Sequence, residues 1–449
     1  MHISNFPEHF TFGTATSSYQ IEGNYQFTGT GPSIWTTFCR RPGAIVNGDN
    51  GEIACDHYNR WREDIILMKE IGIDSYRFSV SWPRVMPLGP GLINSEGLDF
   101  YNKLVDGLLE AGISPLLTLY HWDLPQALQD KGGWAWPGIV DSFAEYTRVM
   151  VNTLGDRVTH WITLNEPWVF LHLGHIDGVH APGMQDLEFA SFAYKHILLA
   201  HSKALHTIKS INSDLQVGHG CDFTGYKPYS ESYEDKKAAD RYFDYRNMIF
   251  TDPWEKGQLT PVGRELFSID PDTWHKEDID LLQAPADFMG FNYYTKYLVA
   301  HDEQEFLRAR VFNDPDAQVT DMDRAIHPEV LPELLQWAYN RYGLPIYITE
   351  NGCDFDYPVE NGRVKDHKRI NFIRDHLEVC QNALQNGIDL RGYYVWSFLD
   401  NFEWNLGYSK RFGIVHVDYE TQKRIIKDSG YFYRDAIKEH NKAIREVAD

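Results

Sequence analysis

Apolar and polar positions follow one another in blocks: a short apolar run rich in β-forming residues, a polar loop, then an amphipathic stretch. Most of the apolar runs are continuous rather than alternating, as expected of strands that are covered on both faces. The predicted strands are Phe10–Ala15, Ser75–Trp82, Pro115–Tyr120, Trp161–Leu164, Leu215–Gly220, Phe288–Asn292, Ile346–Thr349 and Gly392–Ser397.

Helical periodicity appears between these strands. Apolar residues recur at three-and-four spacing in three stretches: Leu98, Tyr101, Leu104, Val105, Leu108 and Leu109; Ile370, Ile373, Leu377, Cys380 and Leu384; and Trp61, Ile65, Met68 and Ile71. No Pro-rich or Ser-rich linker interrupts the pattern. The sequence therefore predicts an α/β fold, a single (β/α)8 TIM barrel over residues 1–449, with its active site at the C-terminal ends of the strands.

An open, doubly wound sheet is the alternative fold, and it usually begins with a glycine-rich phosphate-binding turn. GTGPSI, GPGLIN and GHGCDF all fail the G-x-G-x-x-G pattern, and no G-x-x-x-x-G-K-[ST] is present. The chain also lacks a G-x-S-x-G elbow and an H-E-x-x-H helix. Dinucleotide, nucleotide, serine-hydrolase and zincin functions therefore lose their usual support.

Charge and composition narrow the function further. The formal net charge of −22 disfavours nucleic-acid and membrane partners, and no apolar run is long enough to span a bilayer. The start, MHISNFPEHFTFG, shows no secretory signal, and five scattered cysteines without a C-x-x-C pair indicate free thiols in a reducing cytoplasm. We therefore expect a cytoplasmic protein. The sequence leaves open whether it forms a homo-oligomer.

Polar and aromatic residues are concentrated where the predicted strands end. In a barrel the loops that follow the strands converge on one mouth, so these residues are expected to meet there. The residues concerned are Gln20, Arg77, His121, Trp122, Asn165, Glu166, Trp168, Asn292, Tyr294, Glu350, Trp396, Glu403 and Trp404. An aromatic content of 14% agrees with a site that stacks flat ligands such as sugar rings.

Two glutamates stand at equivalent places in this pattern. Glu166 follows the fourth predicted strand and Glu350 follows the seventh. Opposite walls of one barrel can bring such carboxyl groups within about 5–10 Å, the range that glycosidic cleavage uses. The residues around each glutamate also have a purely structural interpretation. The triplet Asn-Glu-Pro around Glu166 can cap and begin a helix, and the triplet Glu-Asn-Gly that starts at Glu350 is common in turns. Their joint occurrence favours the catalytic interpretation.

Six segments of the chain resemble the signatures of one known family. TLNEPW (163–168) and ITENG (348–352) resemble the two catalytic signatures of glycoside hydrolase family 1, whose best-known members are β-glucosidases. FTFGTATSSYQIEG (10–23), YHWDLP (120–125), GFNYYT (290–295) and WSFLDNFEWNLGYSKRFG (396–413) are similar to further segments of that family. The resemblance spans nearly the whole chain in the family's order.

The resemblance implies a retaining β-glycosidase that hydrolyses terminal, non-reducing β-D-glucosyl residues of small glucosides and short oligosaccharides, and also β-galactosides and β-fucosides. It implies that Glu166 is the acid/base and Glu350 the nucleophile, oriented by Arg77, Asn292 and Tyr294. It implies that the sugar is held by Gln20, His121, Asn165, Glu403 and Trp404 above a stacking floor, Trp396. Trp122, Trp168 and His180 would lie on the leaving-group side.

No metal and no organic cofactor is expected, because paired carboxyl groups suffice for this chemistry. His172, His175 and His180 in HLGHIDGVH suggest a metal site, but their spacing fits no common zinc signature. The branch of the family that uses 6-phosphorylated glycosides is disfavoured because Glu403 would repel a phosphate and Phe412 has no hydroxyl. Lys410 alone is insufficient. The thioglucosidase branch is disfavoured because Glu166 is present.

Two other functions remain to be tested against this one. A sugar-binding barrel without chemistry would typically have lost one of the two glutamates, and this chain has both. A metal-dependent hydrolase would use the histidine cluster. The sequence leaves open the choice among glucose, galactose and fucose, and it does not identify the natural leaving group.

Overall fold

The computed structural model describes residues 6–25 and 28–448, with the side chains of 447 and 448 left out. Residues 1–5 of the amino-terminal segment considered above, and residues 26, 27 and 449 of the proposed single domain, lie outside the described residues. The assignment of one catalytic domain to the whole of 1–449 therefore stays a prediction.

Eleven strands are present in the described residues. In chain order they are β1 (Thr11–Ala15), β2 (Ser75–Ser79), β3 (Ser114–Tyr120), β4 (His160–Asn165), β5 (Gln216–Pro228), β6 (Phe288–His301), β7 (Ala309–Phe312), β8 (Ile346–Asn351), β9 (Leu390–Trp396), β10 (Val415–Val417) and β11 (Arg424–Ile426). Eight of them are parallel and pair in the order β1-β2-β3-β4-β5-β6-β8-β9, and β9 pairs with β1 to close the ring. The predicted (β/α)8 TIM barrel is confirmed.

Helices connect the strands and follow the last of them. They are α1 (Ser18–Ile21), α2 (Ile34–Phe38), α3 (His57–Ile71), α4 (Trp82–Val85), α5 (Ser95–Glu110), α6 (Gln126–Gln129), α7 (Ile139–Leu154), α8 (Pro167–Leu171), α9 (Leu187–Ile211), α10 (Tyr233–Asn247), α11 (Thr251–Lys256), α12 (Pro261–Leu266), α13 (Lys276–Leu282), α14 (Leu331–Tyr342), α15 (His367–Gln385) and α16 (Asp428–Ala448). The three predicted helices correspond to α3, α5 and α15. Leu109 is the exception on the predicted apolar face of α5, since its side chain is 41% exposed.

Two strands run far beyond their predicted ends. β5 and β6 continue side by side beyond the barrel, to Pro228 and His301, and β7 adds an antiparallel partner to the end of β6. Outside the barrel these strands are no longer covered on both faces, and the burial pattern of β6 becomes mixed after Tyr293. The continuous-run criterion detects only fully covered strands, so it missed this extension.

A buried ionic cluster fixes the loop that follows β9. The carboxylate of Asp400 accepts hydrogen bonds from Lys427 Nζ at 2.7 Å, from Arg411 Nη1 at 2.8 Å and from the backbone N–H of Gly413 at 2.9 Å. Because the charge of Asp400 is fully paired, its burial does not leave an isolated ion in the core. This cluster holds residues 401–413 over the barrel mouth. All five cysteines are free thiols, and no helix in the described part of the chain is long and apolar enough to cross a membrane.

Candidate active site

A cavity of about 360 Å³ opens at the C-terminal ends of the barrel strands. Ten of the predicted site residues line it: His121, Trp122, Glu166, His180, Asn292, Tyr294, Glu350, Trp396, Glu403 and Trp404. The other four, Gln20, Arg77, Asn165 and Trp168, are buried behind this lining. Most of the residues that were predicted from the strand ends therefore lie together in one cavity, as convergence of the strand ends at the mouth requires.

Glu350 lies on β8 with its side chain in the cavity wall, 3% exposed. Arg77 on β2 donates a hydrogen bond from Nη1 to Glu350 Oε1 at 2.6 Å, and the Tyr294 hydroxyl donates to Oε2 at 2.7 Å. Burial raises the pKa of Glu350, while Arg77 and Tyr294 act in the opposite direction by stabilising the carboxylate. Both oxygens are therefore held, and the carboxylate form is the better hydrogen-bonded one.

The glycine after this strand has a packing reason. A Cβ atom on Gly352 would lie 1.6 Å from the carbonyl oxygen of Trp396 on β9, which no side chain tolerates. The Glu-Asn-Gly triplet is therefore not a turn: Glu350 and Asn351 belong to β8, and Gly352 lets β9 approach the end of that strand.

Glu166 occupies a different backbone environment. It follows β4 and precedes α8, where Pro167 takes the first helical position, and its φ of 45° and ψ of 62° lie in the left-handed region. Its Oε1 accepts a hydrogen bond from Asn292 Nδ2 at 2.8 Å. Burial, together with the negative charges of Glu350 and Asp222, raises the pKa of Glu166 well above its ordinary value. The protonated form of Glu166 is thus favoured.

Asn165 lies behind the cavity and connects the β4 wall, which ends at Glu166, with the β8 wall, which carries Glu350. Its Oδ1 accepts hydrogen bonds from Arg77 Nη2 at 2.6 Å and from Asn292 Nδ2 at 3.1 Å. Its Nδ2 lies 3.1 Å from His121 Nε2. Burial and the nearby Arg77 lower the pKa of His121, so its ring is neutral and Nε2 can accept from the amide. The buried His121 Nδ1 atom has no hydrogen-bond partner among the described residues.

Aromatic rings form the floor and one side of the cavity. The His121 and Trp396 rings are stacked with centroids 5.6 Å apart, and the Trp122 and Trp404 rings lie 4.5 Å apart. Trp122 and Trp404 have φ values of 79° and 48°, which bulky side chains rarely adopt. Such strain is typical of functional sites, where the surrounding structure fixes a side chain in one useful direction.

Glu403 and Gln20 are neighbours, as the resemblance implies. Gln20 Nε2 donates to Asn401 Oδ1 at 3.0 Å and to the Phe402 carbonyl at 2.8 Å, and it lies 3.5 Å from Glu403 Oε2. The Ser17 hydroxyl donates to Gln20 Oε1 at 2.6 Å. Burial raises the pKa of Glu403 to about 8. Both N–H donors of Gln20 are thus used within the protein, whereas Oε1 accepts one hydrogen bond and has a second acceptor position.

Trp168 and His180, which the resemblance assigns to the leaving-group side, differ in their relation to the cavity. The Arg246 guanidinium stacks on the Trp168 ring at 3.6 Å, so that ring is covered rather than presented to the cavity. His180 lines the cavity, with Nε2 3.3 Å from Asn405 Oδ1. Lys410 Nζ donates to the Asp321 carbonyl and does not line the cavity.

The three histidines of HLGHIDGVH have separate partners. His172 contacts the Tyr245 hydroxyl at 2.8 Å, and His175 contacts the Phe170 carbonyl at 2.9 Å. Within residues 6–25 and 28–448, no group of three or more His, Cys, Asp or Glu side chains is arranged to hold a metal ion.

Sequence reasoning missed three charged residues of the cavity: Asp222, Arg246 and Arg324. Asp222 and Arg246 form an ion pair beside Glu166. Asp222 stands two residues after the predicted end of the fifth strand, so the strand-end rule that found Glu166 would also have found it. Arg246 belongs to α10 and Arg324 to a loop. Neither arginine stands at the end of a predicted strand, so the strand-end rule gives no indication that it belongs to the site.

A barrel with two buried, unlike glutamates and an aromatic-lined cavity at its mouth defines a glycoside hydrolase. The chain belongs to Glycosyl hydrolase family 1, whose sequence profile matches residues 2–442. It is 47% identical over 441 residues to beta-glucosidase A of Thermotoga maritima, covering 98% of this chain and 99% of that one. It is 39% identical to a bifunctional beta-D-glucosidase/beta-D-fucosidase of Bifidobacterium breve, covering 97% and 99%.

A solved structure gives the same result for the fold. The family 1 β-glucosidase from Thermotoga maritima superposes with a TM-score of 0.94 at 46% identity, covering 97% of this chain and 99% of that chain. The same enzyme has been solved in complex with deoxynojirimycin. These relatives support β-glucosidase activity for this chain and confirm the predicted family and enzyme class.

Proposed function

We propose that this chain hydrolyses terminal, non-reducing β-D-glucosyl residues by a double displacement with net retention of configuration. Glu350 is the nucleophile and Glu166 the general acid and base. The observation that carries the proposal is that two buried glutamates face one cavity with unlike partners. Glu350 is held by a guanidinium and a hydroxyl, whereas Glu166 has one amide donor and a carboxylate neighbour.

In the first step a Glu350 oxygen attacks the anomeric carbon. The bond from that carbon to the leaving-group oxygen breaks, its electron pair stays on the oxygen, and the oxygen takes the proton of Glu166. The raised pKa of Glu166 keeps that proton available near neutral pH. Arg77 and Tyr294 hold the Glu350 carboxylate in one direction, which places the attacking atom before the reaction begins.

In the second step the charge relation reverses. Glu350 is now a neutral ester, so it no longer raises the pKa of Glu166, and the Glu166 carboxylate can accept a proton from water. The water oxygen bonds to the anomeric carbon, and the ester bond to Glu350 breaks. Both groups return to their starting forms, and each turnover consumes one water molecule.

Sugar recognition is assigned to the aromatic floor and to Glu403, which lines the same cavity. Trp396 offers a stacking surface, and the His121 ring lines the cavity beside it. Glu403, with a pKa of about 8, holds a proton at neutral pH and can both donate to and accept from vicinal hydroxyls. We also propose turnover of β-galactosides and β-fucosides. The name of the Bifidobacterium breve relative supports the fucoside part.

We propose a cytoplasmic location, which the free state of all five cysteines supports.

Two measurements test the catalytic proposal. The configuration of the first-formed sugar from a nitrophenyl β-glucoside, followed by NMR, is expected to be β; an α product would refute the double displacement. A dinitrophenyl 2-deoxy-2-fluoro-β-glucoside is expected to leave a sugar on the peptide that contains Glu350, detected by mass spectrometry. Activity that is lost in excess chelator would instead favour the metal-dependent alternative.

Substrate preference needs a separate experiment. kcat/KM is measured for nitrophenyl β-glucoside, β-galactoside, β-fucoside and β-xyloside with the same preparation. We expect the glucoside and fucoside to be the best substrates. Absence of turnover for the whole panel would leave a sugar-binding barrel as the better interpretation.

A further inference from the structure

Asp123, in the segment YHWDLP, has no part in the mechanism proposed above. It directly follows His121 and Trp122, which line the cavity, and its own side chain is completely buried. In residues 6–25 and 28–448 its carboxyl group forms no ion pair, and the charged group that acts on it is a second carboxylate, Glu22. Because a buried carboxyl group without a cation is costly to the fold, its presence in a loop of the site points to a function.

The groups that face Asp123 offer it no free positive charge. The Glu22 carboxylate, at the end of α1, accepts a hydrogen bond from Arg84 Nε on α4 at 2.9 Å, so this arginine is already engaged. Burial, with the charge of Glu22, raises the pKa of Asp123 to about 7, against the stabilising effect of nearby hydroxyls. The other titratable groups that interact with Asp123 are the hydroxyls of Tyr25, Tyr120 and Tyr146, which stay neutral because burial raises the pKa of each.

A hydrogen bond of the carboxyl group leads to α1. Asp123 Oδ2 accepts from Ser18 Oγ at 2.8 Å, and Ser18 Oγ in turn accepts from Ser79 Oγ at the end of β2, at 3.2 Å. Ser18 is the first residue of α1, the four-residue helix that carries Gln20. Asp123 therefore joins the loop after β3 to the helix that carries Gln20.

Both of the joined segments depend on outside contacts for their position. A helix of one turn is not stable by itself, and Ser17, which precedes α1, makes no side-chain capping bond to it. In the loop after β3, Trp122 has a φ of 79°, a strained value that the surrounding structure must hold. The resemblance assigns Gln20 on one segment and His121 on the other to the sugar, so the distance between the segments matters for binding.

We propose that Asp123 is a positioning residue of the sugar site, which through Ser18 fixes the loop after β3 against α1. The inference rests on the proposed function and adds a residue to its binding site. The contact depends on charge: the protonated carboxyl group needs no cation, whereas the ionised one adds a second negative charge beside Glu22. Ionisation of Asp123 as the pH rises should therefore weaken the contact and, with it, sugar binding.

The probe for the experiment is isopropyl 1-thio-β-D-glucoside, an uncharged analogue in which sulfur replaces the leaving-group oxygen. Its dissociation constant is measured by tryptophan fluorescence, since Trp396 and Trp404 line the cavity. This measurement needs no turnover and is independent of the proton transfers at Glu166 and Glu350. Turnover of nitrophenyl β-glucoside by the wild type tests the proposed function separately.

Four single variants and one double variant are compared. Asp123→Ala and Ser18→Ala each remove the hydrogen bond, and the double variant combines them. Asp123→Asn keeps the shape and an oxygen that accepts from Ser18, but it cannot ionise. Asp74→Asn is the matched control, because Asp74 is a half-buried carboxyl group whose pKa is also raised by burial, and it precedes β2 at the end of the barrel opposite to the mouth.

At pH 6 we expect Asp123→Ala and Ser18→Ala each to raise the dissociation constant by about three- to tenfold, and the double variant to bind no more weakly than the singles, because all three lose the same contact. Between pH 6 and pH 8, on either side of the pKa of about 7, the wild type should lose affinity. Asp123→Asn should bind like the wild type at pH 6 and lose less affinity at pH 8. Asp74→Asn should follow the wild type at both pH values.

Unchanged affinity of a folded Asp123→Ala variant, or additive effects of the two single substitutions, would overturn the inference. Folding is checked by circular dichroism. If Asp123→Ala does not fold, the comparison of Asp123→Asn with the wild type decides. An equal loss of affinity between pH 6 and pH 8 in these two proteins would overturn the inference, since a merely structural residue leaves that pH dependence in place.

Discussion

The two walls of the cavity, one at the end of β4 and the other at the end of β8, each carry a glutamate, but the two glutamates have different partners. On the β8 wall, both oxygens of Glu350 are held by donors, one of them the permanently charged Arg77. On the β4 wall, Glu166 has one neutral donor and a negative neighbour, Asp222. Burial acts on both glutamates. Their partners therefore decide which one is the better carboxylate and which one keeps its proton.

The backbones of the two walls differ as well. Glu350 sits inside a strand, where ladder pairing with β6 fixes its position, including the pairing of Glu350 with Asn292. Glu166 lies in the left-handed region between a strand and a proline-initiated helix. The nucleophile is thus positioned by sheet register and the proton donor by a local turn.

The largest effect is expected for Glu350→Ala. Turnover of all glycosides should fall by about 10⁴-fold or more, because no ester intermediate can form. Added azide should then enter from the side left by the carboxylate and give the α-glycosyl azide, identified by NMR. A β-glycosyl azide, or activity near that of the wild type, would show that Glu350 is not the nucleophile.

Glu166→Ala should give a loss that depends on the leaving group. For poor leaving groups, which need a proton, we expect about 10²–10⁴-fold lower kcat/KM. A dinitrophenyl glucoside should still form the ester with Glu350 at a comparable rate and then hydrolyse slowly, visible as a burst of dinitrophenol. Azide should rescue this variant and give the β-glycosyl azide. An equal loss for good and poor leaving groups would contradict the assignment.

A smaller effect is expected at the far end of the cavity, for Glu403→Ala. The variant leaves sugar hydroxyls without a partner, which costs about 1–3 kcal/mol, or about ten- to hundredfold in kcat/KM for a nitrophenyl β-glucoside. The loss for the β-xyloside should be smaller, since that sugar has no 6-hydroxymethyl group. Equal losses for both sugars would show that Glu403 does not contact the 6-position.

The contrast between the two walls was only partly predictable from the sequence. All eight barrel strands and both glutamates followed from continuous apolar runs and from the residues at their ends, because burial on both faces and convergence at the mouth are properties of each unit separately. The partners that make the glutamates unlike depend on longer-range geometry. Asp222 lies in the part of β5 that runs beyond Gly220, and Arg246 reaches the site from a helix.

Gln20 illustrates a different limit of prediction from sequence: the residue was indicated, but its hydrogen-bond partners were not. The resemblance implies that it binds the sugar, and the structure places it next to Glu403, but all of its amide atoms are engaged by Ser17, Asn401 and Phe402. Which hydrogen bonds a buried amide makes before a ligand arrives is decided by neighbours far apart in the chain. Sequence position can indicate the residue, but not its partners.

The smallest effect, a shift in pH dependence, addresses the comparison of the two walls most directly. The alkaline limb of kcat/KM reports loss of the proton from the free enzyme's acid, here Glu166. Besides burial and Glu350, the charge of Asp222 raises the pKa of Glu166, and the charge of Arg246 lowers it. Asp222→Asn removes the negative charge and leaves Arg246 unpaired, so both changes should lower the pKa of Glu166 and move the alkaline limb to lower pH. Arg246→Met should move the limb to higher pH.

We expect shifts on the order of one pH unit or less, since one unit corresponds to about 1.4 kcal/mol. The profiles are measured with one nitrophenyl β-glucoside at constant ionic strength, and the acidic limb, which reports Glu350, serves as the internal control because Arg77 and Tyr294 are unchanged. Glu350 is itself coupled to Glu166, so a small secondary movement of the acidic limb is compatible with the argument. Shifts of the alkaline limb in the same direction for both variants would mean that the Asp222–Arg246 pair acts on Glu166 through packing. The opposite signs are what an electrostatic role requires.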